Sequence, residues 1–302
     1  GMDKKDLLKK IVEKNITLID YENIRDINGS RYLGFGRFAG IIGCYNSLAL
    51  YESFLNNSQL PRAFDVNNYS ALKKIIQEKN FSRLRILITG DGRVTKGALE
   101  LLKISNINQV SKYEFLNNKF NTSVFCNLKT SDYVSTRLNN KFNLQHFIKN
   151  PKKYNSIAEK YLEKTNLLIS AHYWDPISPK IFELKNLYKF KDLKVIGDIT
   201  CDINGSIPTT LKSTSIENPY FYFNKDNYKE MKRSNNSLAI MAVDNLPSEL
   251  PRDSSEEFGD SIVKEVLPYI IGDDDERIYN ATIVKNCNFL PKYSYLKNYI
   301  LT

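Results

Sequence analysis

Two glycines one residue apart, Gly90 and Gly92, stand between an apolar run and a stretch of helical spacing in LRILITGDGRVTKGALELL, residues 84 to 102. A strand that turns through glycines into a helix can hold a phosphate. The first glycine permits the tight turn, and the second leaves room for the phosphate to reach the backbone. The N–H groups that open the helix, from Arg93 and Val94 onward, then face the anion with the helix dipole behind them. Arg93 adds a positive charge at its edge. The loop therefore has the chemistry to bind the pyrophosphate of a dinucleotide, NAD or NADP. The pattern G-x-G-x-x-G would place a third glycine at position 95, where the chain has Thr95; Gly97 and Ala98 offer the small surface for helix–strand packing two residues later.

Other reactive side chains follow apolar runs of their own. His172 follows TNLLIS and is read as an acid–base group or as a hydrogen-bonded wall. Asp202 follows LKVIGDIT, with a site role or a turn-capping role. Asp244, Asn245 and Leu246 follow SLAIMAV, where backbone and amide would touch the nicotinamide or its ribose, or form an Asx turn. Arg37 would pair with a substrate carboxylate or with a protein carboxylate. Cys201 has no histidine beside it and reads as a packed residue rather than a nucleophile. The residue that meets the adenosine ribose should end the second strand, about 20 residues past the loop. There Ser111 and Lys112 suit a 2′-phosphate and Glu114 suits a free 2′-hydroxyl, so NAD and NADP both remain open.

The elements that must position these groups can be read from periodicity. Helices are expected over 3 to 14, 37 to 54 and 70 to 79, and strands over 16 to 22, 84 to 88, 106 to 110, 123 to 128, 165 to 174, 193 to 200 and 237 to 246. Asn28-Gly29 marks a tight turn. Ala39, Gly40 and Gly43, early in the second helix, let another backbone approach closely. Strands alternating with helices predict an α/β fold: a Rossmann-type doubly wound parallel sheet.

With 302 residues there is length for two domains, and no apolar run reaches the roughly 18 residues of a membrane span. The net charge of +9 is scattered rather than gathered in one arm, and no nucleic-acid-binding signature accompanies it, so neither a membrane nor a nucleic acid is expected as partner. Cys44, Cys126, Cys201 and Cys287 form no C-x-x-C pair; no metal site is expected, and reduced thiols in a cytoplasm are. Gly1 before Met2 reads as a tag scar.

Four further segments stand in order around the loop: FGRFAGIIG (35 to 43), GDITCDINGSI (197 to 207), TSIENPYF (214 to 221) and VDNLPSELPRDSSEEFG (243 to 259). With G-x-G-R-V-x-x-G-A they resemble the alanine dehydrogenase and transhydrogenase superfamily, and within it the saccharopine dehydrogenase and lysine–ketoglutarate reductase branch, from about Ile16 to the end of the chain. In that family Thr95 is an accepted feature of the loop. The resemblance implies an NAD(P)-dependent oxidoreductase transferring hydride at the C–N bond of an amino acid or its imine adduct, with Asp202 and His172 as candidate catalytic groups. It implies residues 1–62 as a partial substrate domain with a bridging helix, 63–270 as the Rossmann domain, and 271–302 as a segment returning to the first domain. The family's acid–base lysine and histidine lie in an N-terminal region of which almost nothing is present here. Both histidines of this chain, His146 and His172, fall in the Rossmann part. A homo-oligomer, or a partner chain supplying the missing segment, is therefore expected. The alternative is a nucleotide-binding or regulatory subunit without turnover of its own.

Overall fold

The structure is a computed structural model and describes residues 4–27, 29–55, 59–137, 141–234 and 236–301. Asn28, half of the expected Asn-Gly turn, lies outside them. Helix α1 (Lys5–Glu13) leads to the short strand β1 (Leu18–Ile19); then come helices α2 (Gly36–Leu55) and α3 (Tyr69–Glu78), strand β2 (Arg85–Thr89) and helix α4 (Arg93–Ile104). The remaining strands are β3 (Asn108–Gln109), β4 (Val124–Leu128), β5 (Val134–Thr136), β6 (Tyr154–Ser156), β7 (Leu167–Ser170), β8 (Val195–Asp198), β9 (Tyr220–Asn224), β10 (Glu230–Met231), β11 (Ser237–Met241), β12 (Thr282–Lys285) and β13 (Asn288–Phe289). The chain divides into two compact units, residues 36–253 and residues 1–35 with 254–302.

Among the described residues, eight strands of the larger unit form one sheet in the order β10-β9-β11-β8-β7-β2-β4-β3. Its six strands from β11 to β3 are parallel, and β9 and β10 extend it antiparallel. The fold is thus the expected α/β class with a large parallel sheet. Both faces are covered, which is why its central strands read as nearly unbroken apolar runs. Alternate residues serve different faces: Ile86, Ile88, Leu167 and Ile169 pack with α2, α3 and α4, whereas Leu87, Leu168, Leu238 and Ile240 pack on the other side with Phe115, Leu162 and Phe190.

Two expectations are corrected, and one strand was not expected. The strand read over 16 to 22 shrinks to Leu18–Ile19, because Asp20 caps a turn at Tyr21–Asn23, accepting from the Glu22 N–H at 3.0 Å and the Asn23 amide at 2.6 Å. The strand read at 106 to 110 keeps two residues and lies at the sheet edge, beside β4 rather than β2. The antiparallel β9, in the aromatic run YFYFN, went unread as a strand; its Tyr222 reaches Phe54 of α2, with ring centroids 5.7 Å apart.

Helix α2 is apolar on nearly every side and buries residues from Phe38 to Phe54. Of its small residues, Gly40 admits another backbone as expected, whereas Gly43 makes room for a side chain. A Cβ at Gly40 would be driven into the Val94 carbonyl oxygen, and one at Gly43 would sit 2.6 Å from the Ile199 side chain. Gly97 of α4 faces the Arg37 carbonyl in return. This corrects the helix–strand role read for Gly97: the contact is helix on helix.

The smaller unit holds an antiparallel sheet, β1-β12-β13, over a core of Ile24, Leu33, Val266, Ile278 and Ala281. The Phe258 ring stacks on Phe35 at 4.5 Å and meets Tyr21 edge-on at 5.4 Å.

Glycines of the two kinds should respond oppositely to alanine. Gly97→Ala forces two helix backbones apart and should cost about 3 kcal/mol. Gly259 sits inside the helix Pro251–Glu265 with nothing within 4 Å of an added Cβ, so Gly259→Ala should stabilise by up to about 1 kcal/mol. Urea unfolding of the two variants checks both signs.

Candidate functional site

In an open α/β sheet, ligands bind past the carboxyl ends of the strands, where the strand order reverses. Here that point lies between β2 and β7: the chain leaves β2 for β3 and then β4 on one side and later returns to β7 on the other. The glycine loop sits at this place. Gly90 has φ +119°, in the region open to glycine, and a Cβ on it would stand 2.5 Å from the Thr95 hydroxyl and 2.6 Å from the Ala171 carbonyl. Thr95, at the position of the third glycine, donates to that same carbonyl at 2.9 Å and ties α4 to the end of β7. On the other flank the Gly90 N–H donates to the Leu128 carbonyl at 2.8 Å, and the Asn127 amide donates to the Gly90 carbonyl at 3.0 Å. The loop is held from both sides before any ligand arrives.

Gly92 is different. Its φ is −83°, it is exposed, and nothing lies within 4 Å of a Cβ built on it. It opens α4 with no side chain capping the first turn. The residues present fit a dinucleotide here: open space over Gly92, an uncapped twelve-residue helix start, and the buried, unpartnered Nε2 of His172 beside the loop. Arg93 is exposed at the helix start; Val94 is half-buried, and its carbonyl serves the contact with α2.

His172 shares a 2.7 Å hydrogen bond between its Nδ1 and the Thr89 hydroxyl at the end of β2, and Ser170 stands 3.4 Å from the same nitrogen. The Tyr133 ring lies 5.7 Å away, centre to centre. The residue is 8 % exposed, and burial pushes its pKa down to about 4. At neutral pH it is an uncharged wall of the site.

The ends of β8 and β11 carry a second group. Asp198 is fully buried; its carboxylate accepts from the Thr200 hydroxyl at 2.5 Å and the Thr210 hydroxyl at 2.7 Å. Burial raises its pKa, and these bonds together with Ser170 work against the rise. Sequence reasoning passed over Asp198; its position as the last residue of a parallel strand was the available signal. Cys201 (φ +56°) donates its thiol to the Ala242 carbonyl at 2.9 Å, and burial, then Asp198, Asp244 and Asp202, push the thiol up to about 12. The last two carboxylates thus gather around one thiol, both exposed; the Asp202 carboxyl is raised by partial burial. Asn245 is exposed before the turn Leu246–Glu249, whereas Leu246 is a core residue, 2 % exposed. The same sheet edge therefore carries His172 next to Gly90, and Asp202 and Asp244 further along on β8 and β11.

Two sets of candidate site residues are engaged within the protein, Arg37 by the second of its two readings. Arg37 is held by Glu100 through two bonds, at 2.7 and 2.6 Å, with the Tyr69 hydroxyl on the same carboxylate at 2.7 Å; it clamps α2 to α4. Ser111 and Glu114 cap a helix together: the Ser111 N–H donates to Glu114 at 2.8 Å and the Glu114 N–H donates to Ser111 at 3.2 Å. They follow the edge strand β3, not the neighbour of β2.

No group of three or more His, Cys, Asp or Glu could hold a metal ion among the described residues, and no helix among them is long and apolar enough to cross a membrane.

The fold is that of an alanine dehydrogenase. An L-alanine dehydrogenase structure matches 99% of the chain and 73% of its own length at TM-score 0.54 and 14% identity. The homologues in sequence are alpha-aminoadipic semialdehyde synthases and saccharopine dehydrogenases, the branch that the motifs resemble. The synthase of Arabidopsis thaliana is 29% identical over 84% of this chain, and the saccharopine dehydrogenase [NAD(+), L-lysine-forming] of Candida glabrata is 28% identical over 87% of it. The chain spans 28% of the length of the first and 65% of the second. No family model matches.

The burial of His172 makes a prediction for acid. Its folded pKa, about 4, lies below the ordinary value of 6.5 for the side chain. Above pH 6.5 neither state is protonated and nothing is lost. Between 6.5 and 4 the unfolded chain gains a proton that the folded chain refuses, so stability falls, by about 3 kcal/mol in all. His172→Asn keeps a partner for Thr89 and should flatten this slope, measured by urea unfolding at pH 5 and pH 7.5.

Proposed function

We propose that this chain is the dinucleotide-binding part of an NAD(P)-dependent oxidoreductase of saccharopine dehydrogenase type, acting at the C–N bond of an amino acid or its imine adduct. The observation that carries the reading is the loop: Gly90 is forced to be glycine by its backbone and its neighbours, whereas Gly92 faces open space at an uncapped helix start. The relatives' names support the substrate class.

A bound nicotinamide would supply the hydride acceptor or donor. Gly92 and the N–H groups opening α4 hold the pyrophosphate; Thr95, Asn127 and Leu128 hold the loop. His172 walls the nicotinamide side as a neutral group, and Asp202 and Asp244 orient the amine or imine. In this reading residues 36–253 form the Rossmann domain, and residues 1–35 with 254–302 contribute to the substrate domain.

A second reading, a nucleotide-binding or regulatory subunit without turnover, is favoured by the state of the histidines. His172 is buried and neutral, and His146 has its Nδ1 on the Tyr154 hydroxyl at 2.8 Å, next to β6. Proton transfer to a substrate nitrogen requires a group that is within reach and has a suitable pKa.

Gly92→Val separates fold from binding. The space around it is empty and its φ suits any residue, so the variant should unfold like the wild type. Calorimetry should show dinucleotide affinity reduced at least about tenfold, the loss of one or more charge-assisted hydrogen bonds. Equal binding by the variant moves the site elsewhere. Absorbance of the reduced nicotinamide with saccharopine, with lysine plus 2-oxoglutarate, and with alanine distinguishes the two readings: turnover supports the first, and binding without turnover the second.

A further inference from the structure

We propose that a pocket between the second half of α2 and the paired ends of β9 and β11 binds a small monocarboxylate with an apolar body, and that Arg62 receives its carboxylate. The inference goes beyond the dinucleotide reading and does not depend on it.

Helix α2 passes over β8 with Ser47 packed on Gly197. Its next turn meets Tyr220 of β9 and Met241 of β11, residues that pair across the two strands. The space left between them has a volume of about 270 Å³. It lies on the face of the sheet that α2 covers: Leu50 and Met241 belong to the same core as Ile86 and Ile169. The glycine loop lies elsewhere, past the end of β2. In the sheet β7 and β8 stand between β2 and β11, so three strand spacings, about 14 Å, separate the two places.

The charge in the wall is Arg62. Its backbone is fixed on both sides. The Tyr45 hydroxyl of α2 donates to the Pro61 carbonyl at 2.6 Å, and the fully buried Ala63 opens a helical turn. The guanidinium makes no hydrogen bond among the described residues, and one of its terminal nitrogens is buried without a partner. A fork of N–H donors left unused at a partly buried place is uncommon. Glu217 and Glu249 lie within reach of its charge, yet neither forms an ion pair with it among the described residues; Glu249 accepts from the Asn46 amide at 2.7 Å instead. Leu50, Leu60 and Met241 supply apolar wall. An apolar pocket with one charged group is the usual form of a small-molecule site. The guanidinium matches a carboxylate through a bidentate pair, and an apolar body gains by leaving water. A phosphate, with more charge and more acceptor oxygens, would need further donors and would be repelled by the two nearby carboxylates.

Calorimetry of the full chain with 4-methylpentanoate, 4-methylpentanamide, acetate and inorganic phosphate tests this. The acid should bind at least about tenfold more tightly than the amide, which keeps the body and lacks the charge, and than acetate, which keeps the charge and lacks the body. Arg62→Met keeps an unbranched apolar stem and should weaken the acid by at least about tenfold with the circular dichroism spectrum unchanged. Ala49→Leu, which places atoms in the pocket with Arg62 intact, should weaken acid and amide alike. No binding of the acid at millimolar concentration overturns the proposal. Equal binding of acid and amide, or undiminished binding of the acid by Arg62→Met, overturns the role of Arg62. Phosphate bound more tightly than the acid overturns the ligand class, and loss of acid binding in saturating NADH overturns the separation of this pocket from the loop.

Discussion

The backbones of two helices, α2 and α4, touch, and much of the larger unit is arranged around that contact. Gly40 lies against the Val94 carbonyl and Gly97 against the Arg37 carbonyl. Any side chain at either place would part the helices. The Arg37–Glu100 pair, with Tyr69 on the same carboxylate, closes over the contact from outside. Because α4 is fixed in this way, its first turn is fixed as well, and the open space over Gly92 has a defined floor. A phosphate site of this kind works by preorganisation: its N–H groups are in place before the anion arrives.

A chain of buried polar groups runs along the carboxyl edge of the sheet. Thr89 bonds His172, Ser170 approaches both His172 and Asp198, and Asp198 holds Thr200 and Thr210. The Thr89–His172 and Ser170–Asp198 links join the ends of neighbouring strands, so β2, β7 and β8 present their loops as one surface. The opposing shifts of His172 and Asp198 have one cause. Burial favours the uncharged form of each: it lowers the imidazole and raises the carboxyl. The exposed carboxylates of Asp202 and Asp244 stand beyond this edge, where water or a ligand can reach them.

Strand order decides which residues become neighbours of the loop. β4, rather than the two-residue β3, lies against β2, so Leu128 and Lys129 flank Gly90, whereas Ser111 and Glu114 are left to cap a helix beyond the edge. The antiparallel β9 and β10 continue the far side of the sheet past β11.

What the sequence by itself determined is local. The glycine turn, the helix after it, the apolar runs of β2, β4, β7, β8 and β11 and the long helix α2 were legible, because backbone conformation and two-sided burial leave their mark on adjacent residues. The motifs around them were long enough to carry a family resemblance. What only the tertiary structure decided is which of these residues meet. That Gly97 faces a helix, that Arg37 is taken by Glu100, that Asp198 is buried and that β4 rather than β3 borders β2 all depend on pairing between segments far apart in the chain. Pairing is set by the whole sheet and its covering helices, and no window of adjacent residues contains it.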